Sequence, residues 1–282
     1  MNGLPPHLLC PAASFGKPVC RLGLASHGDT AITPDDVLSA VERGVNFLNW
    51  PGLAEGTPAG DAFSEAIASL GPRRDEVVVC AQFGAASAAD AAEELRAALA
   101  LLRTDYVDVL THYYVERKEE WQALCAPDGG LTYLRAARRD GVVRRIGVTS
   151  HQRPLAAEMA RSGLLDCVML RYNAAHRGAE TDVFPTTDAA NVPVIAYTAT
   201  RWGALMQATP DDPPGFVVPG GSQWYRFVLH SPSVAVVLAA PHSRAELAED
   251  LGLLRMGPLT AEEFAALAAH GERVRRHAGA FR

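Results

Sequence analysis

Short apolar runs alternate along the chain with stretches of helical periodicity. Eight runs have the length and β-branched content of buried strands: residues 21–26, 45–50, 76–82, 106–113, 144–150, 167–172, 192–198 and 234–240. Strands separated by helices predict βαβ units and a parallel sheet, and eight such units close a (β/α)8 barrel. An open doubly wound sheet is the alternative. Helix starts are readable between the strands. Thr33-Pro34-Asp35-Asp36 gives an N-cap, a proline at the first helical position and acids in the first turn, and Gly44 marks that helix's end. Ser87 can cap the helix that follows it, and Thr260-Ala261-Glu262-Glu263 has capping-box spacing. Residues 4–19, with Gly16 at a turn, read as a hairpin ahead of the first barrel strand, placed to plug the N-terminal end. Residues 207–221, rich in Pro and Gly, form the one long loop, expected on the C-terminal face.

The bulk numbers narrow the classes. A length of 282 residues suits one barrel domain spanning 1–282, and 48% hydrophobic residues supply a large core. A net charge of −6, with no Lys/Arg run beyond two, argues against nucleic acid or an anionic membrane as partner. No apolar stretch reaches spanning length. Five scattered cysteines without a CxxC pair fit reduced thiols in a cytoplasmic protein, and residues 1–6 carry no signal-peptide pattern. The expected partner is therefore a small-molecule substrate.

Several segments, in order, resemble the aldo-keto reductases: Gly44-Val45-Asn46-Phe47-Leu48-Asn49, Thr104-Asp105-Tyr106-Val107-Asp108-Val109-Leu110, Asp140-Gly141-Val142-Val143-Arg144-Arg145-Ile146-Gly147-Val148-Thr149-Ser150, Val194-Ile195-Ala196-Tyr197, and the run from Ser243 to Leu251. The resemblance implies a (β/α)8 barrel with its site at the C-terminal mouth. It also implies a catalytic set of Asp, Tyr, Lys and His, in which the Lys acidifies the Tyr that protonates a carbonyl oxygen. Here the Asp position is Asn49, the Lys position is Gln82, and the Tyr position falls on Leu53 or Ala54. The His position lands on Tyr113, with His112 one residue early.

These replacements remove both the proton donor and the charge that tunes it. Two amides avoid the cost of an unpaired buried charge and can hydrogen-bond each other. Alternation along the strand turns Tyr113 inward if Val109 and Thr111 point inward, and turns His112 toward the helices; a β-bulge would reverse this. Tyr113 is the first candidate for a substitute acid and His112 the second. Trp50 is read as an aromatic wall for a ligand or as packing. Arg171, two residues beyond Met169, would suit an anionic substrate or pair with a rim acid. His27, His151 and His242 also follow strand ends, but no HxxxH or HExxH spacing supports a metal site, and none is expected.

The resemblance implies NADP(H) as cofactor, and its residues match in part. Tyr197 matches the ring on which nicotinamide stacks, Thr149 and Ser150 the carboxamide contacts, and Ser243 a phosphate contact, with Arg244 able to compensate nearby. Glu246 stands where relatives carry a residue for the 2′-phosphate, and Asp250 and Met169 also depart from the pattern. Three readings follow: an NADP(H)-dependent oxidoreductase with a non-standard donor; a cofactor-free lyase, isomerase or cyclase; and a non-catalytic binding barrel. An open cavity lined by Tyr113, Asn49 and Gln82 favours an enzyme; a mouth filled by Trp50, Trp202 and the 207–221 loop favours a binding role.

Overall fold

The computed structural model describes residues 3–28, 30–55 and 60–277. Two short antiparallel strands, β1 (Leu9–Cys10) and β2 (Val19–Cys20), precede eight parallel strands that close a barrel. These are β3 (Leu22–Ala25), β4 (Phe47–Trp50), β5 (Val78–Phe83), β6 (Val107–His112), β7 (Val143–Ser150), β8 (Cys167–Arg171), β9 (Val194–Tyr197) and β10 (Val234–Ala239). They pair in chain order, and β10 closes on β3. Helices run between them, so the molecule is the expected (β/α)8 barrel and not an open sheet.

Period-two alternation divides the core in two. Phe47, Val78, Cys80, Val109, Cys167, Met169, Ile195 and Val236 fill the barrel interior, while their strand neighbours Leu48, Val79, Leu110, Val168 and Val237 pack against the helices. The N-terminal hairpin seals one end. Its connection is a helical turn, Ala12–Phe15, ended by Gly16 at φ 82°, and Phe15 meets Phe47 edge-on at 5.3 Å. A charge cluster closes the same end: the fully buried Asp108 carboxylate meets Lys17 Nζ at 3.1 Å, Arg74 Nη1 at 2.8 Å and Arg144 Nη1 at 3.2 Å. It also accepts the Val79 amide at 3.0 Å, so the carboxylate is both paired and hydrogen-bonded.

The helix signals resolve as expected. Thr33 and Asp36 form a reciprocal capping box on Pro34–Glu42, Ser87 accepts from the Asp90 amide on Ala88–Leu102, and Thr260 and Glu263 cap Ala261–His277 reciprocally. The long loop is tied down to this last helix. Asp212 accepts from Arg273 Nε at 2.6 Å, lies 3.1 Å from His270 Nδ1, and Phe216 stacks on the His270 ring at 4.8 Å. No helix among the described residues is long and apolar enough to cross a membrane.

Candidate active site

The open end of the barrel holds a cavity of about 560 Å³. Each strand sends one inward residue to its floor or wall at the C-terminal end: Ala25, Asn49, Gln82, Tyr113, Thr149, Met169, Tyr197 and Leu238. The alternation that turns Val109 and Thr111 inward carries on to Tyr113, whose amide is held by the Phe83 carbonyl at 2.8 Å. The cavity then extends past the loop after β9, where Trp202 forms an exposed rim, toward the helix Arg244–Asp250.

Its deep end is uncharged. No Lys or Arg lines the cavity among the described residues. The chain contains only two lysines, Lys17 at the sealed end and Lys118, which pairs with Glu158 at 3.0 Å on the surface. A lysine therefore cannot reach the phenols at the mouth. Asn49 and Gln82 do not form the expected amide pair. Gln82 Nε2 donates to Thr149 Oγ1 at 3.4 Å and to Met169 Sδ at 3.3 Å, while Asn49 Oδ1, buried, has no hydrogen-bond partner. Ser26 Oγ, also buried and on the cavity wall, has none either. Buried polar atoms left unsatisfied cost about 1–3 kcal/mol each, and a ligand's polar groups would relieve that cost.

Three phenols gather beside the amides. Tyr113 and Tyr114 meet with ring centroids 4.4 Å apart, and Tyr114 faces Tyr197 at 6.4 Å. Tyr114 turns into the cavity through a left-handed backbone, φ 49°, a strained position for a bulky residue. Its other ring face stacks on His151 at 4.5 Å. Tyr114 was not singled out in the sequence; two adjacent tyrosines just beyond an inward-facing strand end were the available signal. Burial pushes the Tyr197 phenol well above its ordinary value. That suits a stacking surface, because the phenol keeps its proton.

Several expected site residues lie elsewhere. Trp50 faces outward, opposite to Asn49 on the same strand; it is fully buried and donates from Nε1 to Asp61 Oδ2 at 2.9 Å, so it belongs to the core. His112 likewise faces the helices, edge-on to Phe83 at 4.9 Å, and burial pushes its pKa down to about 4. It is neutral and outside the cavity lining. Ser150 also points outward, accepting the Gln152 amide. Arg171 follows Met169 on the inner face but stands outside the cavity lining. His27 does line it, its ring 4.4 Å from that of His242. No group of three or more His, Cys, Asp or Glu side chains is arranged to hold a metal among the described residues.

The far end of the cavity is acidic. Ser243 is occupied in capping its own helix, and Arg244 turns to Asp36 Oδ1 at 2.7 Å. Glu246, Glu249 and Asp250 line the wall instead. Glu246 accepts the His242 amide at 2.7 Å, Glu249 accepts the Gly221 amide at 2.7 Å, and Tyr225 donates to Asp250 at 3.4 Å. Burial first, then the neighbouring Glu249, push the Asp250 carboxyl up to about 7.

A model of the aldo/keto reductase family matches residues 22–216. The chain belongs to the aldo-keto reductase family. Its fold is similar to the holo form of an aldo-keto reductase from Bacillus halodurans, with a TM-score of 0.72, 19% identity, and coverage of 90% of this chain and 92% of that one. An aldo-keto reductase from Klebsiella pneumoniae in complex with NADPH gives 0.70 at 19% identity, covering 91% and 92%. The glycerol dehydrogenase of Gluconobacter oxydans gives 0.68 at 17%, covering 96% and 97%. No curated protein sequence matches the chain.

Proposed function

We propose that this aldo-keto reductase family member is an oxidoreductase acting on a small carbonyl or alcohol at the barrel mouth, with a nicotinamide dinucleotide and a proton donor other than the family's lysine-tuned tyrosine. The carrying observation is the open cavity lined by Tyr113, Asn49 and Gln82, with two buried polar atoms, Asn49 Oδ1 and Ser26 Oγ, awaiting a partner. Trp50 lies outside that mouth, and the 207–221 loop is tied to the last helix; both favour an enzyme over a binding barrel.

The residues fit the uncharged nicotinamide end of such a cofactor. Tyr197 offers a ring for stacking, and Thr149 and Asn49 offer hydrogen-bonding atoms to a carboxamide. The cofactor supplies a hydride donor or acceptor when bound. Tyr113 holds the proton exchanged with the substrate oxygen, and the Tyr114 ring packs edge-on against its ring at 4.4 Å. No lysine stands beside the phenols to tune a proton donor as the family's lysine does, so the reaction is slow for this family. The unpaired thiols of all five cysteines support a reducing, cytoplasmic setting.

One observation favours a second reading, a cofactor-free lyase or isomerase: neither lysine of the chain lies near the cavity. Turnover separates the two. The protein is mixed with reduced nicotinamide dinucleotide and a panel of small aldehydes and ketones, and loss of the reduced-nicotinamide absorbance is followed. Slow, substrate-dependent oxidation is expected. A flat trace across the panel, at millimolar cofactor, refutes the oxidoreductase reading.

A further inference from the structure

We infer that the acidic end of the cavity binds an organic cation, a primary ammonium group on a partly apolar body, held by Glu246, Glu249 and Asp250. This concerns the far end of the cavity and does not depend on the redox reading of the deep end. The three acids stand at i, i+3 and i+4 of the helix Arg244–Asp250, so they share one face, and that face lines the cavity. One oxygen of each is engaged. Glu246 Oε2 accepts the His242 amide at 2.7 Å, Glu249 Oε1 accepts the Gly221 amide at 2.7 Å, and Asp250 Oδ2 takes a long bond of 3.4 Å from the Tyr225 hydroxyl. The second oxygen of each accepts no hydrogen bond from the described residues.

These carboxyls lack a counter-cation. Elsewhere, acids of low exposure are matched: Asp36 to Arg244 at 2.7 Å, Asp108 to Arg74 at 2.8 Å and Asp212 to Arg273 at 2.6 Å. No lysine or arginine among the described residues pairs with Glu246, Glu249 or Asp250, and Glu246 lies 3.2 Å from the His242 ring nitrogen. A buried carboxylate without a cation is costly, and a ligand cation would offset that cost. The Asp250 carboxyl, held up to about 7 by burial and then by Glu249, reports the same uncompensated field.

A separate observation marks the cavity as a ligand site. Ser26 and Asn49 line it, both side chains are more than nine-tenths buried, and neither Ser26 Oγ nor Asn49 Oδ1 has a hydrogen-bond partner. The Asn49 oxygen can only accept, so the partner it lacks is a donor, which an ammonium group supplies. Ser26 is followed by His27, whose ring lies 4.4 Å from that of His242, and His242 meets Glu246; the wall runs from the unsatisfied hydroxyl to the acids through that pair of rings. No group of three or more His, Cys, Asp or Glu side chains among the described residues is arranged to hold a metal, so the cation is organic. Met206, Leu238, Ala240 and Trp202 on the same cavity wall accept its apolar body, and about 560 Å³ is room for a small molecule.

Calorimetric titration of the full chain with phenylalkylamines of increasing length, from benzylamine to phenylbutylamine, reads this without cofactor or turnover. Each amine is compared with the alcohol of the same skeleton, at about pH 8, where Asp250 is mostly ionised and the amines are still charged. The best amine is expected to bind about tenfold or more tightly than its alcohol, the scale of one hydrogen bond between charged groups. Asp250→Asn, and the double variant Glu246→Gln, Glu249→Gln, should each remove most of that preference and leave the alcohol's affinity unchanged; the amides keep acceptors for Tyr225, His242 and Gly221. Circular dichroism and thermal melting establish that the variants are folded, and each single glutamate substitution serves if the double does not fold. Equal affinity for amine and alcohol, or no binding of any amine at millimolar concentration, overturns the inference. So does a preference that survives in all the variants. None of these results bears on the redox reading, whose test is the turnover assay.

Discussion

Replacing Asp250 with Asn should stabilise the protein, and the gain should grow with pH. The carboxyl is buried against Tyr225, with Glu246 and Glu249 on the same wall, and its pKa is pushed from 3.8 to about 7. An acid with a raised folded pKa keeps a proton that the unfolded chain has already lost. Its contribution is therefore most favourable below pH 3.8 and is lost as pH rises through about 7. At about 1.4 kcal/mol per pH unit, the interval from 3.8 to about 7 corresponds to about 4 kcal/mol of destabilisation in alkaline solution. The amide has the same shape, still accepts the Tyr225 hydroxyl and carries no charge to desolvate. Urea unfolding of both proteins should show the variant more stable by about 2–4 kcal/mol near pH 8.5, with the gap shrinking by about 3 kcal/mol on going to pH 5. A variant less stable near pH 8.5, or a gap independent of pH, would refute the reasoning.

Two further perturbations probe the scaffold. Asp108→Asn leaves Lys17, Arg74 and Arg144 around an uncharged amide at the sealed end and should cost about 3–5 kcal/mol in urea unfolding. His112 has the opposite pH signature to Asp250: its folded pKa of about 4 lies below the ordinary 6.5, so the stability it allows is lost as pH falls from 6.5 toward 4. His112→Phe should flatten that acid loss by about 2–3 kcal/mol over the same interval, measured by unfolding at stepped pH; an unchanged slope would mean that the imidazole is not held neutral.

The barrel was legible because its signal is repeated eight times, and each strand falls within or close to its expected run. Asn49, Gln82, Thr149 and Tyr197 were placed at the mouth by the family resemblance, and the choice of Tyr113 over His112 followed from strand parity. Parity also rules out Trp50, since a residue adjacent to an inward-facing Asn49 has to face the helices. The same rule turns Ser150 away from the inward-facing Thr149. What the sequence did not carry was side-chain choice among competing partners. Gln82 bonds Thr149 and Met169 instead of Asn49, Arg244 is taken by Asp36, and Ser243 by its own helix cap. Each depends on contacts between segments far apart in the chain. The acidic wall was half visible: Glu246 and Asp250 stood out against the family pattern, whereas Glu249 enters the cavity wall only because the following turn of helix packs on Gly221.

The central claim is that a phenol without a lysine beside it moves the proton at this mouth. Single-turnover hydride transfer, measured with saturating reduced cofactor and a turned-over carbonyl compound, tests it in wild type, Tyr113→Phe and Tyr114→Phe. The account predicts a loss of about 10²–10⁴-fold for Tyr113→Phe, with a smaller loss for Tyr114→Phe. Undiminished transfer in Tyr113→Phe would contradict it.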